Sequence, residues 1–406
     1  MSTTSPVERA TDSQAQPVDI AAIVLAIRRV LPAGPREFAL HQPLFAGNEW
    51  TYLKECLDSG WVSSGGQFVG RFEQMLVDLT GAAAAVAVVN GTSALHLCLR
   101  LVGTGRGDEV LMPALTFVAT ANAAAYCGAV PHFVDCEEGT LGLDARKLAE
   151  YLRDIAQIRE GCCINRFTGA RIAAVVPMHT FGHPVDMDAL AEGCAPFGLP
   201  VVEDAAQALG SYYKGKHTGT LGRLGALSFN GNKIVTTGGG GAVLTNDISL
   251  GKMAKHVSTT ARLTHPWHFS HDEVGYNYRL PNINAALGCA QLEQLPQFLA
   301  AKRKLSERYM QEFQGFPGMR FIREPDYGQS NYWLNSMMLD RDVSGWRDRL
   351  LEATNQQGIG TRPVWVLLHK LPMFAACPRM DLSVAESVEA RLVNLPSSPM
   401  LGMDCV

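Results

Sequence analysis

From Val86 onward the chain alternates short, wholly apolar runs with stretches of helical spacing, and no other feature constrains its fold as much. The apolar runs fall near 86–89, 110–112, 130–134, 172–177, 200–203, 225–229 and 241–245. Helical stretches at about 93–102, 117–127, 144–157, 187–197 and 248–257 separate most of them. Runs such as Ile172-Ala-Ala-Val-Val-Pro177 present no polar face, as expected of strands covered on both sides. The alternation predicts an α/β fold whose large domain holds a mostly parallel, doubly wound sheet of seven strands. Ligands of such sheets gather beyond the carboxyl ends of the strands, so polar residues there are the first candidates for chemistry.

Around this centre the chain divides into three. Residues 1–37 form a leader: 1–17, rich in Ser, Thr, Gln and Pro, reads as disordered. Ile20, Ile23, Val24, Ile27 and Leu31 then keep helical spacing until Pro32 to Pro35 break it. Residues 38–290 hold the seven strands. Residues 291–406 form a smaller C-terminal α/β domain, entered through a long helical pattern from Asn282 to Phe313 in which Pro296 predicts a kink or break.

Composition excludes several classes of function. A net charge of −4 without a long basic run argues against binding to nucleic acid or an anionic membrane. No apolar run reaches transmembrane length, and the first residues lack the apolar core of a signal peptide. The ten cysteines are scattered through apolar surroundings without a CxxC pair, the pattern of free thiols in a reducing compartment. A soluble, cytoplasmic protein is expected.

Three strand ends carry the chemistry. At the first, Asn90-Gly-Thr-Ser-Ala follows an apolar strand and opens a helix. Gly91, Thr92 and Ser93 would offer free N–H groups and hydroxyls to a phosphate, although the same residues also suit a simple helix cap. At the second, Val201-Val-Glu-Asp ends a buried strand in a carboxylate. Asp204 there suits a metal, a cap or a cofactor cation, and burial demands a positive partner for it. At the third, Lys233 stands five residues after Ser228 and just before the glycine run Gly238–Gly241. Partial burial would favour its neutral amine. A lysine for a Schiff base, a carboxylate for a pyridine nitrogen and donors for a phosphate are the parts a pyridoxal phosphate (PLP) site needs. The glycine run is not a P-loop, since no GxxxxGK[ST] occurs. His265, His268 and His271 are spaced by three, but Pro266 disfavours a shared helical face, so a polar loop is expected there rather than a metal site. His179, closing the strand before Thr180-Phe-Gly, is either a site residue or a satisfied core histidine.

These segments, together with Asn48-Glu-Trp, Gly60-Trp-Val-Ser-Ser, Pro113-Ala-Leu-Thr-Phe-Val-Ala-Thr-Ala-Asn-Ala, Ser228-Phe-Asn-Gly-Asn-Lys and Gly275-Tyr-Asn-Tyr-Arg-Leu-Pro-Asn, resemble the sugar aminotransferases of fold-type I PLP enzymes. The resemblance runs from about Phe38 to Ser398. Phe229-Asn-Gly-Asn-Lys-Ile-Val-Thr-Thr-Gly and Met178-His-Thr-Phe-Gly-His-Pro-Val-Asp are most similar to the LegC-type branch of nucleotide-sugar aminotransferases, which acts in legionaminic acid and related pathways. The resemblance implies that Lys233 is the catalytic lysine and that Asp204 binds the pyridine nitrogen. It further implies Gln207 at the ring hydroxyl, Phe117 stacked on the ring with Ala206 on its other face, and Thr92, Ser93 and Ser228 at the phosphate. Asn277 would reach the same phosphate from the neighbouring subunit of a homodimer with shared active sites. Sugar dehydratases of this fold carry His where this chain has Lys233, so transamination is implied. The implied reaction moves an amino group from L-glutamate to a UDP-linked 4-keto-6-deoxy-N-acetylhexosamine. A GDP- or dTDP-linked keto sugar, a cyclitol, or a non-catalytic PLP-binding regulator are the alternatives.

Overall fold

The computed structural model describes residues 19–33, 37–340 and 345–403; the segment 1–17 and Pro35 lie outside them. All seven expected strands form. Ala84–Val88, Gly241–Thr245, Leu224–Ser228 and Val202–Asp204 make one ladder, and Val130–Val134, Glu109–Pro113 and Ile172–Val175 make another. Parallel bridges from Val175 to Val201 and from Met178 to Asp204 join the two edge to edge.

Six strands run one way, and Gly241–Thr245 runs against both of its neighbours. The reason is the connection that precedes it. A parallel neighbour needs a crossover over the sheet face, usually through a helix. The link from Ser228 to Gly241 contains no helix, so the chain turns back beside the strand it has just left. That returning loop carries Lys233.

The expected helices form as Gly91–Leu101, Val118–Tyr126, Ala145–Ile155, Met187–Cys194 and Ile248–Ser258. Asp144, Asp186 and Asp247 cap three of them by accepting first-turn N–H groups. Ala145–Ile155 stops earlier than its periodicity suggests, because Ala156–Arg159 pairs with Cys162–Asn165 as a hairpin. The short helix Ile20–Val30 buries Ile23, Val24 and Ile27 against Leu305 and Tyr309 of the long helix.

That long helix, Asn282–Glu312, corrects one expectation: it is unbroken across Pro296. Leu292, Leu295 and Phe298 on either side of the proline are buried in the same core cluster, and this packing offsets the lost backbone hydrogen bond. Beyond it, Met319–Phe321, Asn335–Leu339, Leu392–Leu395 and Arg362–Pro363 form a separate antiparallel sheet, with helices Trp346–Gln356 and Ser383–Arg391 nearby. The nine cysteines among the described residues are all free. No helix among them is long and apolar enough to cross a membrane.

Candidate active site

A cavity of about 300 Å³ opens beyond the carboxyl ends of the sheet strands. Thr92, Phe117, Asp204, Gln207, Ser228 and Lys233 all line it. Of the other two cofactor candidates, Ser93 is buried one residue beyond Thr92 and is not part of the wall. Asn277 is exposed and lies outside the cavity. Its segment runs beside the sheet's outer strand, where Tyr278 O accepts from Val89 N at 2.8 Å.

Close backbone approach builds the anion corner. Gly91 begins the helix Gly91–Leu101, and Asn90 Oδ1 caps it by accepting from Ser93 N at 2.7 Å. A Cβ on Gly91 would stand 2.8 Å from Ser228 Cβ, so only glycine lets these two strand ends close. Gly241 is held as tightly, since a Cβ there would lie 2.5 Å from the Asn90 carbonyl carbon. The result places the hydroxyls of Thr92 and Ser228 beside a helix N-terminus whose first N–H groups have no partner within the helix.

Asp204 is fully buried at the floor. The Thr120 hydroxyl donates to its Oδ2 at 2.7 Å, and Ala206 N donates to Oδ1 at 3.2 Å. Burial raises its pKa; the two hydrogen bonds and the nearby charge of Lys233 only partly counter this. The carboxylate is thus short of a cation. Lys233 is only partly exposed, and loss of solvent around its amine brings it down to about 8, with the attraction of Asp204 opposing. An appreciable neutral fraction near neutral pH is what a nucleophilic amine requires.

Gln207 Oε1 accepts from Phe181 N at 2.8 Å, which turns the amide NH₂ toward donation. Phe117, half exposed, stands 6.3 Å from Trp365, which forms part of the opposite lining. Sequence reasoning missed Trp365, Trp333 and Thr120. Thr120 sits one helical turn from Thr116 and touches its hydroxyl at 3.0 Å, but nothing local announces its contact with Asp204.

His179 proves to be a satisfied core histidine. It is fully buried, its Nδ1 accepts from Val185 N at 3.2 Å, and its Nε2 is thereby left to donate to Glu203 Oε2 at 2.9 Å. Burial pushes the Glu203 carboxyl up, yet His179 and the N–H groups of Gly222 and Gly219 outweigh it and hold the group below its usual range. The pair fixes the strand end that carries Asp204 and does not enter the cavity. His265, His268 and His271 lie on an exposed loop, where His265 Nδ1 accepts from the backbone of Trp267 and His268. The His265 and His268 rings lie 4.5 Å apart, while His271 Nδ1 donates to Thr260 O at 2.8 Å.

Residues 45–406 match the DegT/DnrJ/EryC1/StrS aminotransferase family. The chain belongs to this family. It is 38% identical over 373 residues to the Bacillus subtilis protein named "Putative pyridoxal phosphate-dependent aminotransferase EpsN", covering 91% of this chain and 93% of that one. GDP-perosamine synthase of Caulobacter vibrioides is also 38% identical, over 87% of this chain and 91% of its own length. Among solved structures, the aminotransferase TlmJ from Streptoalloteichus hindustanus matches with a TM-score of 0.80 at 30% identity, over 89% of this chain and 93% of that one. Membership makes the chain an aminotransferase of the PLP-dependent kind, and its residues fit that cofactor. The cation-poor Asp204, the glycine-closed anion corner and the partly desolvated amine of Lys233 each meet one part of it.

Proposed function

We propose that this family member transfers the amino group of L-glutamate to C4 of a nucleotide-linked 4-keto-6-deoxy sugar, releasing 2-oxoglutarate and the 4-amino sugar. UDP-4-keto-6-deoxy-N-acetylglucosamine, the substrate of the LegC-type branch, is the first acceptor to test. The observation that carries the reading is the convergence of Lys233, Asp204 and the Gly91–Thr92 helix start on one cavity. A GDP-linked acceptor is the second reading, favoured by the relatives named GDP-perosamine synthase in Caulobacter vibrioides, Escherichia coli O157:H7 and Vibrio cholerae.

PLP, when bound, supplies the electron sink and carries the amino group between donor and acceptor. The chain's own residues do the rest. Lys233 Nζ binds the cofactor covalently and, once free, moves the proton at the reacting carbon. Asp204 keeps a positive charge on the ring nitrogen, and Gln207 donates to the ring hydroxyl. Phe117 and Ala206 hold the ring between them. Thr92, Ser228 and the helix start hold the phosphate, with Ser93 packed behind them. Mass spectrometry of products from UDP-, GDP- and dTDP-linked 4-keto sugars incubated with glutamate tests the reading. An amino sugar from the UDP substrate is the expected result. A product from the GDP substrate alone selects the second reading, and none from any nucleotide sugar removes both.

A homodimer with shared sites belongs to the same proposal. Exposed Asn277 sits beside a loop that exposes Trp267, Phe269 and Val274, an apolar surface suited to a second copy of the chain. Mixed refolding of Lys233→Ala and Asn277→Ala chains, each inactive and each with a wild-type circular dichroism spectrum, should then restore part of the activity. One site of the mixed dimer would hold both a sound lysine and a sound donated loop. A mixture as inactive as its parents, or an active monomer, would defeat the shared-site arrangement.

A further inference from the structure

Lys233 has a neighbour that the chemistry described so far does not use. Its Nζ lies 4.0 Å from the ring centroid of Trp333, while among the described residues no carboxylate reaches it within ion-pair distance. An ammonium over an indole face is attracted by the ring quadrupole, and most strongly where water is excluded. Trp333 is buried and Lys233 partly so.

Trp333 is itself held at its ring N–H and at its backbone. Trp333 Nε1 donates to Asn232 O at 2.8 Å, which ties the ring to the residue preceding Lys233. Trp333 N donates to Asn331 Oδ1 at 2.7 Å, and Asn331 Nδ2 donates to the carbonyls of Gln207 at 3.0 Å and Leu209 at 2.8 Å. Trp333 O accepts from the buried Lys302 Nζ at 3.1 Å, which also donates to Ser397 O at 2.5 Å. Tyr332, between these anchors, has a φ of 47°, a conformation that a bulky side chain rarely adopts and that only over-determined surroundings maintain. The ring's own N–H and the backbone on both sides of it are thus fixed together, which sets the position of the indole face.

We propose that the face of Trp333 is the resting place of the Lys233 ammonium, holding the amine at one position in the cavity whenever it is not bonded to the cofactor. Trp333 is then a positioning residue for the lysine, a role that rests on Lys233 being the reacting group. The sign of its effect follows. Ring attraction favours the charged form, so loss of the ring shifts the amine toward neutrality; a merely damaged, wetter pocket shifts it the other way. The other groups facing this pair are Asp204, which favours the ammonium, and the buried Lys302 and His41, both drawn toward their neutral forms by burial, the His41 ring lying 6.4 Å from Trp333.

The test uses the full-length chain without cofactor. Acetylation of Lys233 by acetic anhydride is followed by peptide mass spectrometry across a pH series bracketing 8, with exposed Lys252 as internal reference. Trp333→Leu, which keeps the site apolar, should lower the protonation constant of Lys233 by roughly threefold to thirtyfold while leaving Lys252 unchanged. Trp333→Phe should give a smaller change of the same sign, and it decides the question if the leucine variant does not fold. A midpoint within about twofold of wild type, or one moved to higher pH, overturns the proposal. The functional reading is checked separately on the wild-type protein: absence of a borohydride-trapped PLP adduct at Lys233 would refute that reading, whatever the acetylation profile shows.

Discussion

Replacing Lys233 with alanine is expected to abolish turnover, by at least about 10²–10⁴-fold from loss of the proton-moving amine alone. It should also remove the absorbance band of lysine-bound cofactor. PLP should still associate, because the anion corner at Thr92 and Ser228 and the carboxylate of Asp204 do not depend on the amine. The fold should survive, since the lysine leaves no carboxylate unpaired at ion-pair distance among the described residues. Absorbance, borohydride trapping and single-turnover kinetics separate these effects. A variant that still traps PLP covalently would show that a different lysine is the nucleophile.

Asp204→Asn is the second large effect. The amide oxygen can go on accepting from Ala206 N, while its NH₂ donates to the Thr120 hydroxyl, which accepts in place of donating, so both contacts at this position can persist. What disappears is the negative charge proposed to hold the ring nitrogen protonated. A preorganised charge in a dry site commonly contributes about 10²–10³-fold, and turnover should fall by at least that much. Thermal stability should stay level or rise slightly, because a buried carboxylate without a cation costs free energy that a buried amide does not. Turnover near wild type would reduce Asp204 to a structural acceptor.

The two residues with the largest expected effects were readable from sequence for one shared reason. Asp204 closes one buried apolar strand and Lys233 follows another by five residues, so the pattern that located each strand pointed to the region beyond its end. Thr120 and Trp333 were not readable. Thr120 meets Asp204 across 84 positions, and Trp333 meets Asn232 across 101, through packing that leaves no local trace. His179 was ambiguous because a strand-end histidine looks the same whether it faces a ligand or, as here, a buried glutamate. Pro296 misled for the opposite reason: its local cost is real, but the core on both sides of it decides.

The reversed strand Gly241–Thr245 also sets an order of assembly. Ala84–Val88, an early segment of the chain, finds its sheet partner only there, with Ala84 opposite Thr245 and Val88 opposite Gly241. As the chain leaves the ribosome, this first strand must wait unpaired until the later one has been made, and the Asn90–Thr92 turn at its end waits with it. The corner proposed to bind the phosphate is therefore among the last parts of the sheet to close. The cofactor would meet a nearly finished protein and act as a late lock on it, not as a template around which it folds.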